Sequence, residues 1–261
     1  MTQAATAGAM PTDTPRINEI SLERPWEWVL KGWADLREAP RFSLAYGAVF
    51  VIVSVLMTLG LLAENLFFIV PALAAAFFLI APLLGIGLYQ ISANLEADRP
   101  VEFCQALQAW RQNEVQLAAM ALILVFVLLV WMLAAILIFA LFYDNPVPNW
   151  ANFLPTLFLS GENNTFVAAG VIGGGLIAAF TFCISVVTVP MLMDRPVDVV
   201  TAMRTSMAAV RKNWQAMSLW AALIVMFVGL GILTYYIGLL ITMPLIGHAT
   251  WHAYRDLVPI D

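Results

Sequence analysis

The stretch FSLAYGAVFVIVSVLMTLGLLA, residues 42–63, holds no Asp, Glu, Lys, Arg or His. A helix needs about 20 predominantly apolar residues to cross the hydrocarbon core of a bilayer. This stretch therefore reads as one crossing, and its neighbours follow the same pattern. Glu64 and Asn65 make a short turn, and 66–93 is a second crossing interrupted by Pro71 and Pro82. Residues 115–143 and 166–193 give the third and fourth. The stretch 214–254 runs 41 residues without Lys, Arg, Asp or Glu. As one helix it would be about 60 Å long, twice the membrane thickness. It must fold back, with the turn placed near Gly229, Gly231, Thr234, Tyr235 and Tyr236, because Gly interrupts helices and Tyr favours the interface. Spans five and six are thus 214–232 and 236–254.

The composition agrees. Of 261 residues 62% are hydrophobic and 11% charged, against about 45–50% and about 25% in soluble domains. The expected fold is all-α: a polytopic bundle of six spans occupying 21–258 as one domain, with interfacial amphipathic helices. The first 20 residues, small and polar, read as a disordered cytoplasmic tail. Asp13, Arg16 and Glu19 interrupt any signal-peptide core. The net charge of −5 and the lack of a basic stripe argue against nucleic acid. Cys104 and Cys183 form no metal-type or redox pair and read as small apolar residues.

Charge orients the chain. All twelve Lys and Arg (Arg16, Arg24, Lys31, Arg37, Arg41, Arg99, Arg111, Arg195, Arg204, Arg211, Lys212 and Arg255) fall on one side of the six-span arrangement. The opposite loops carry Glu64, Asp144 and Glu162 instead. The positive-inside rule places both termini in the cytoplasm.

Three segments repeat: ERPWEWVLKGWADLREAPRF at 23–42, DRPVEFCQALQAWRQNEVQL at 98–117 and DRPVDVVTAMRTSMAAVRKNWQAM at 194–217. Each opens acid-Arg-Pro, then an apolar residue, then an acid. Pro suits a first helical position and the preceding acid its cap. Trp26, Leu30, Trp33 and Leu36 share one face of the first helix; Val199, Met203, Met207 and Val210 share one face of the third. Trp beside Lys and Arg marks a helix lying in the interface, with Trp26, Trp33, Trp110 and Trp214 as anchors. Each unit is then a surface helix followed by two spans, giving three internal repeats. The echoes APLLGIGLYQI at 81–91, VPMLMD at 189–194 and MPLIGHATWHAYRDL at 243–257 predict three equivalent proline kinks near the cytoplasmic side. The outer segment NWANFLPTLFL at 149–159 reads as a short surface helix covering the bundle.

Candidate chemistry is sparse. No charged group is expected mid-span, and Walker, GxSxG and HExxH motifs are absent. His248 and His252, at i, i+4 spacing near the inner end of span six, are weak metal or haem candidates against a reading as interfacial hydrogen-bonding rings. Arg255 and Asp256 read as a clamp to the repeat helices. Gly170, Gly174 and Ala178 line one helix face and suit helix packing, within the bundle or with another subunit.

At the Arg-Pro-Trp opening, at SLAYGAVF (43–50), at VPMLMDRPVDVVTAMRTS (189–206) and at PLIGHATWHAYRDL (244–257), the chain resembles the bacterial six-span membrane family called domain of unknown function 2189, over about 17–258. The resemblance implies the inner membrane of Gram-negative bacteria and brings no catalytic residue. Some members carry an oxidase-subunit name; this chain lacks the intramembrane histidines that a haem–copper catalytic subunit requires. Three readings follow, in this order: a non-enzymatic scaffold or accessory subunit without cofactor, whose partners are lipids and other membrane subunits; a carrier or binder of a lipid-like molecule; a haem- or metal-binding respiratory accessory protein.

Overall fold

The structure, a computed structural model, describes residues 15–144 and 150–259. Among these residues it is helical without strands: α1 (Arg24–Glu38), α2 (Pro40–Ala63), α3 (Val70–Leu84), α4 (Ile86–Glu96), α5 (Phe103–Gln108), α6 (Glu114–Phe142), α7 (Trp150–Leu159), α8 (Asn164–Ser185), α9 (Thr188–Asp194), α10 (Val199–Lys212), α11 (Trp214–Leu233) and α12 (Leu239–Leu257). Five helical stretches are long and apolar enough to cross a membrane: Pro40–Ala63, Phe67–Glu96, Ala109–Phe142, Asn164–Asp194 and Trp214–Leu233. They coincide with the first five expected spans. The sixth expected span is also a helix, α12, but its two histidines, Arg255 and Asp256 make it too polar to join that set.

Helix α12 is the axis of the molecule. It packs against α1, α2, α4 and α11, and most of its residues are buried. Glycines make this approach possible. A Cβ on Gly32 of α1 would lie 2.7 Å from both the Ala249 nitrogen and the Leu245 oxygen. One on Gly47 of α2 would overlap the Leu240 carbonyl, and one on Gly247 of α12 the Leu88 side chain. Trp28, fully buried, stacks edge-on against Trp220 with ring centroids 5.6 Å apart. A second group, α3, α6 and α8, packs around its own cluster of Ala76, Leu79, Val127 and Trp131. Through α9, α10 and the short 3₁₀ stretch Ala109–Asn113, the two groups join at the end that carries the Arg-Pro motifs.

Local chemistry differs from the expectation in several places. In the first repeat Pro25 does fall in the first turn of α1. In the others the helix starts after Pro100 and Pro196, and the acid after the proline caps the third: Asp198 accepts from the Val200 and Thr201 nitrogens at 2.9 and 3.0 Å. Bonds from Thr201 hold the Asp198 carboxyl below the usual carboxylate range. The second surface helix is broken into α5 and the 3₁₀ stretch. Of the three expected kinks, two are helix breaks, at Gly85 and at Val186–Val187, while α12 runs unbroken through Pro244. A proline near a helix start removes only one interior hydrogen bond.

The face of α1 that packs inward is Pro25, Trp28, Gly32, Asp35 and Leu36; Trp26, Leu30 and Trp33 point outward. Helix α10 buries small residues, Ala202, Thr205, Ser206 and Ala209; of the expected face, Val199, Met203 and Val210 are half-buried against the core and Met207 is exposed. The small stripe lets the Ser206 hydroxyl reach the Cys183 carbonyl at 2.8 Å. Residues 1–14 of the expected tail lie outside the described residues, but 15–20 are pinned: the Asn18 nitrogen donates to the Leu257 carbonyl at 2.9 Å and the Ile20 nitrogen to Asn213 Oδ1 at 2.8 Å. The fifth turn ends α11 at Leu233, with Tyr235 and Tyr236 both left-handed at φ of 55° and 69°. The helix expected within 149–159 is observed as α7.

A Gly47→Ala substitution is expected to force α2 off α12 and cost about 2 kcal/mol, the usual scale of overpacking. Gly60→Ala, in the same helix with open space around it, is expected to leave stability unchanged or improved. Melting temperatures of the two variants in one detergent check this.

Candidate functional site

Helix α12 brings a buried polar chain to the centre of its group. His248 is fully buried at mid-helix, not at the interface as its sequence position suggested. Its Nε2 lies 2.9 Å from Ser43 Oγ on α2, and its Nδ1 lies 2.8 Å from Ser92 Oγ on α4. Ser92 donates to Asp35 Oδ2 at 2.6 Å, and His252 Nε2 lies 2.9 Å from that same oxygen. One assignment satisfies both His248 nitrogens and both serine hydroxyls without placing a charge on His248. Ser43 donates to Nε2, the Nδ1 hydrogen goes to Ser92, Ser92 donates to Asp35, and His252 donates to Asp35. The Ala39 carbonyl, 2.9 Å from Ser43 Oγ, already accepts from the Ser43 nitrogen. If Ser43 turned to that carbonyl, both ring nitrogens would have to donate and His248 would be an imidazolium.

Both His248 nitrogens thus have protein partners, and a metal ion there would have to displace a serine. No group of three or more His, Cys, Asp or Glu able to hold a metal occurs among the described residues. Of the expected pair, His248 and His252 do share one helix face, and they use it to bracket Asp35. The sequence reading missed Asp35, Ser43 and Ser92. The available signal was Asp35 at helical spacing from Trp28 and Gly32, and hydroxyls inside two apolar spans.

The C-terminal end of α12 carries the clamp. Arg255 Nε lies 3.0 and 3.1 Å from the two Glu96 carboxylate oxygens, and its NH1 lies 3.3 Å from Asp194 Oδ2. Trp251 Nε1 donates to Glu96 at 2.8 Å, and the Tyr254 hydroxyl donates to Asp194 at 2.6 Å. Asp256 accepts from Trp28 Nε1 at 2.7 Å, with Arg24 and Lys31 each 3.9 Å away. Arg24, bonded to Glu27 and near Asp256, has its pKa raised further.

The large concavity lies on the other side of α12. A cleft of about 1520 Å³ runs between the two helix groups, walled by α3, α6, α7, α8, α11 and α12. Helices α8 and α11 face each other across it without packing along their length. No Asp, Glu, Lys, Arg or His lines it. Its polar side chains are partly turned away: Ser185 and Thr250 donate to carbonyls of their own helices, and Trp131 Nε1 donates to the Ala72 carbonyl at 2.9 Å. The expected packing stripe forms one wall. Gly174 lies against Trp131, Ala178 joins the Trp131 cluster, and Gly170 has open space where a side chain would be. Rings of Phe68, Phe139, Tyr143 and Phe166 gather at the end away from the Arg-Pro motifs, and Phe153 of α7 lies there, 5.6 Å from Phe67. The four expected anchors, Trp26, Trp33, Trp110 and Trp214, are 42–63% exposed.

Asp35→Ala is expected to leave His252 and Ser92 without their acceptor and to cost about 1–3 kcal/mol, the scale of a buried polar group left unpaired. Asp35→Asn keeps one acceptor oxygen and should cost less. Thermal unfolding in detergent orders the variants: wild type, then Asn, then Ala.

No curated protein and no solved structure matches the chain. Residues 69–194, from the start of α3 to the end of α9, match the family model described as predicted integral membrane protein, domain of unknown function 2189.

Proposed function

We propose that the protein binds a lipid-like apolar molecule in the cleft between α8 and α11. The observation that carries this reading is the cleft itself: about 1520 Å³ with no charged side chain on its walls. Ligand pockets for small molecules usually hold about 300–1,000 Å³, so this one suits a longer chain. Water gains nothing on such walls, and acyl or isoprenoid chains already surround the protein. Proline residues 71 and 82 lie on the wall, where interrupted helices are tolerated because they face a cavity. A partner helix seated on the small-residue face of α8 is the second reading, favoured by the open space at Gly170 and Gly175. In both readings the protein is a non-enzymatic binder or accessory subunit.

The topology that goes with this reading has α12 as a sixth crossing, with both termini cytoplasmic and the three repeats each contributing a surface helix and two spans in a bacterial inner membrane. Support comes from the charge segregation and from the length of α12, 19 residues or about 28 Å.

Photolabelling with a diazirine-bearing lipid tests the cleft. Label is expected on α8 and α11. Gly170→Phe, which has room for its ring inside the cleft, should lose most of it, while Gly60→Phe on the outside of α2 should not. Equal labelling of both variants would overturn the reading. A co-purifying polypeptide in place of lipid would favour the second. For topology, a single cysteine at Tyr235, in the turn before α12, should react from the outer side in a Cys-free background and one at Pro259, after α12, from the inner side. Labelling of both from one side removes the sixth crossing.

A further inference from the structure

Four of the chain's seven glutamines line one pocket, an uneven distribution for side chains that a membrane protein carries at a cost. The pocket, about 480 Å³, lies where α4, α5 and the 3₁₀ stretch Ala109–Asn113 meet, and Gln90, Asn94, Arg99, Gln105, Gln108 and Gln112 face it. Four of these amides are joined head to tail. Gln112 Nε2 donates to Gln90 Oε1; Gln90 Nε2 donates to Asn94 Oδ1 at 2.9 Å. Asn94 Nδ2 then donates to Gln105 Oε1 at 3.2 Å, and Gln105 Nε2 to Glu102 at 3.1 Å. The chain fixes the orientation of each amide and consumes one N–H of each glutamine, leaving the second available. Gln90 and Asn94 are buried, so their positions are set by the fold.

Two groups in the pocket stand outside the chain. The Arg99 guanidinium and the Gln108 amide have no hydrogen-bond or ion-pair partner among the described residues. No carboxylate is among the lining side chains. Asp98, beside Arg99, is held left-handed at φ 49°, a conformation that costs energy and that a rigid site can maintain. Oriented amide donors and an unpaired guanidinium, with the Glu102 carboxylate engaged by Gln105 and outside the lining, make a pocket for an oxyanion. Trp110, about half exposed with Arg111 5.5 Å over its ring, belongs to the same segment and marks the depth at which lipid headgroups lie.

We infer that this pocket binds a phosphate ester anion, with Arg99 as the charge partner and the glutamine amides as donors to the phosphate and its hydroxyl substituents. A phospholipid headgroup at the inner surface and a soluble phosphate ester share this chemistry. The site is separate from the cleft and stands or falls without it.

The test uses the full-length protein in mild detergent, titrated with phosphatidylglycerol or phosphatidylcholine of the same acyl chains and read by native mass spectrometry. Binding of the tails in the cleft cancels in the ratio of the two lipids. Wild type is expected to prefer phosphatidylglycerol by about fivefold, the order that one arginine contributes at a membrane surface. Arg99→Gln should abolish the preference, Arg99→Lys should keep part of it, and Arg211→Gln, at an exposed position on α10, should keep all of it. A second arm titrates sn-glycerol 3-phosphate. Arg99-dependent binding of this compound, with or without displacement of the lipid, supports the site and assigns it to a soluble ester. A retained lipid preference that the compound does not disturb supports the site and assigns it to the membrane. The inference is overturned if wild type and Arg99→Gln behave alike in both arms.

Discussion

A polar group buried among helices is stabilised by a partner within the protein, because no water reaches it to substitute. Helix α12 carries His248, Thr250, His252, Tyr254, Arg255 and Asp256 along 19 residues, and that load dictates its position. It can be accommodated only where other helices supply acceptors and donors on several sides at once. Asp35 comes from α1, Ser43 from α2, Ser92 and Glu96 from α4, and Asp194 from α9. Serine is a short side chain, so its hydroxyl reaches His248 only if α2 and α4 approach closely. Gly47 and Gly247 follow from that requirement, since a Cβ at either would hold the helices apart. The hydrogen bonds and the glycine contacts are two sides of one constraint.

The cleft follows from how this constraint is met. Helices α1, α2, α4 and α11 are occupied with α12, and each has only so much surface to give. Helices α3, α6 and α8 carry no polar load that ties them to the axis, so they pack on one another around Trp131. The two groups share the end where the Arg-Pro motifs and the clamp residues lie, and diverge elsewhere. In water an apolar gap of this size would collapse. In lipid it faces a solvent as apolar as itself, so the hydrophobic effect does not close it.

The crossings could be read from sequence because hydrocarbon thickness sets helix length and leaves charge-free runs of matching size. Helix α7 and the turn at Thr234 to Gly238 were readable for similar reasons. The inner face of α1 was not. Its periodicity puts Trp26, Leu30 and Trp33 together, and this apolar stripe does exist, but it points outward. Trp28, Gly32 and Asp35 make the other stripe, the one that packs on α12. An interfacial helix has two apolar surroundings, so periodicity identifies two candidate stripes and does not say which faces protein. Leu36, grouped with the outward stripe by spacing, is buried with the inward one.

The same ambiguity explains the histidines. Spacing placed His248 and His252 on one face, which is correct, and that pattern suits a metal as well as it suits a pair of hydrogen bonds. What separates the two outcomes is the supply of partners, and those partners lie 150 or more residues away in sequence. In the folded chain each ring nitrogen of His248 has its own serine, and Asp35 joins that histidine's chain to His252. A site poised for a ligand keeps donors or acceptors in reserve. Neither ring nitrogen of His248 is in reserve, whereas the glutamine pocket retains a second N–H on each of its linked glutamines and an uncommitted guanidinium on Arg99. By that measure the chain through His248 holds the protein together, and binding is proposed at the two concavities instead.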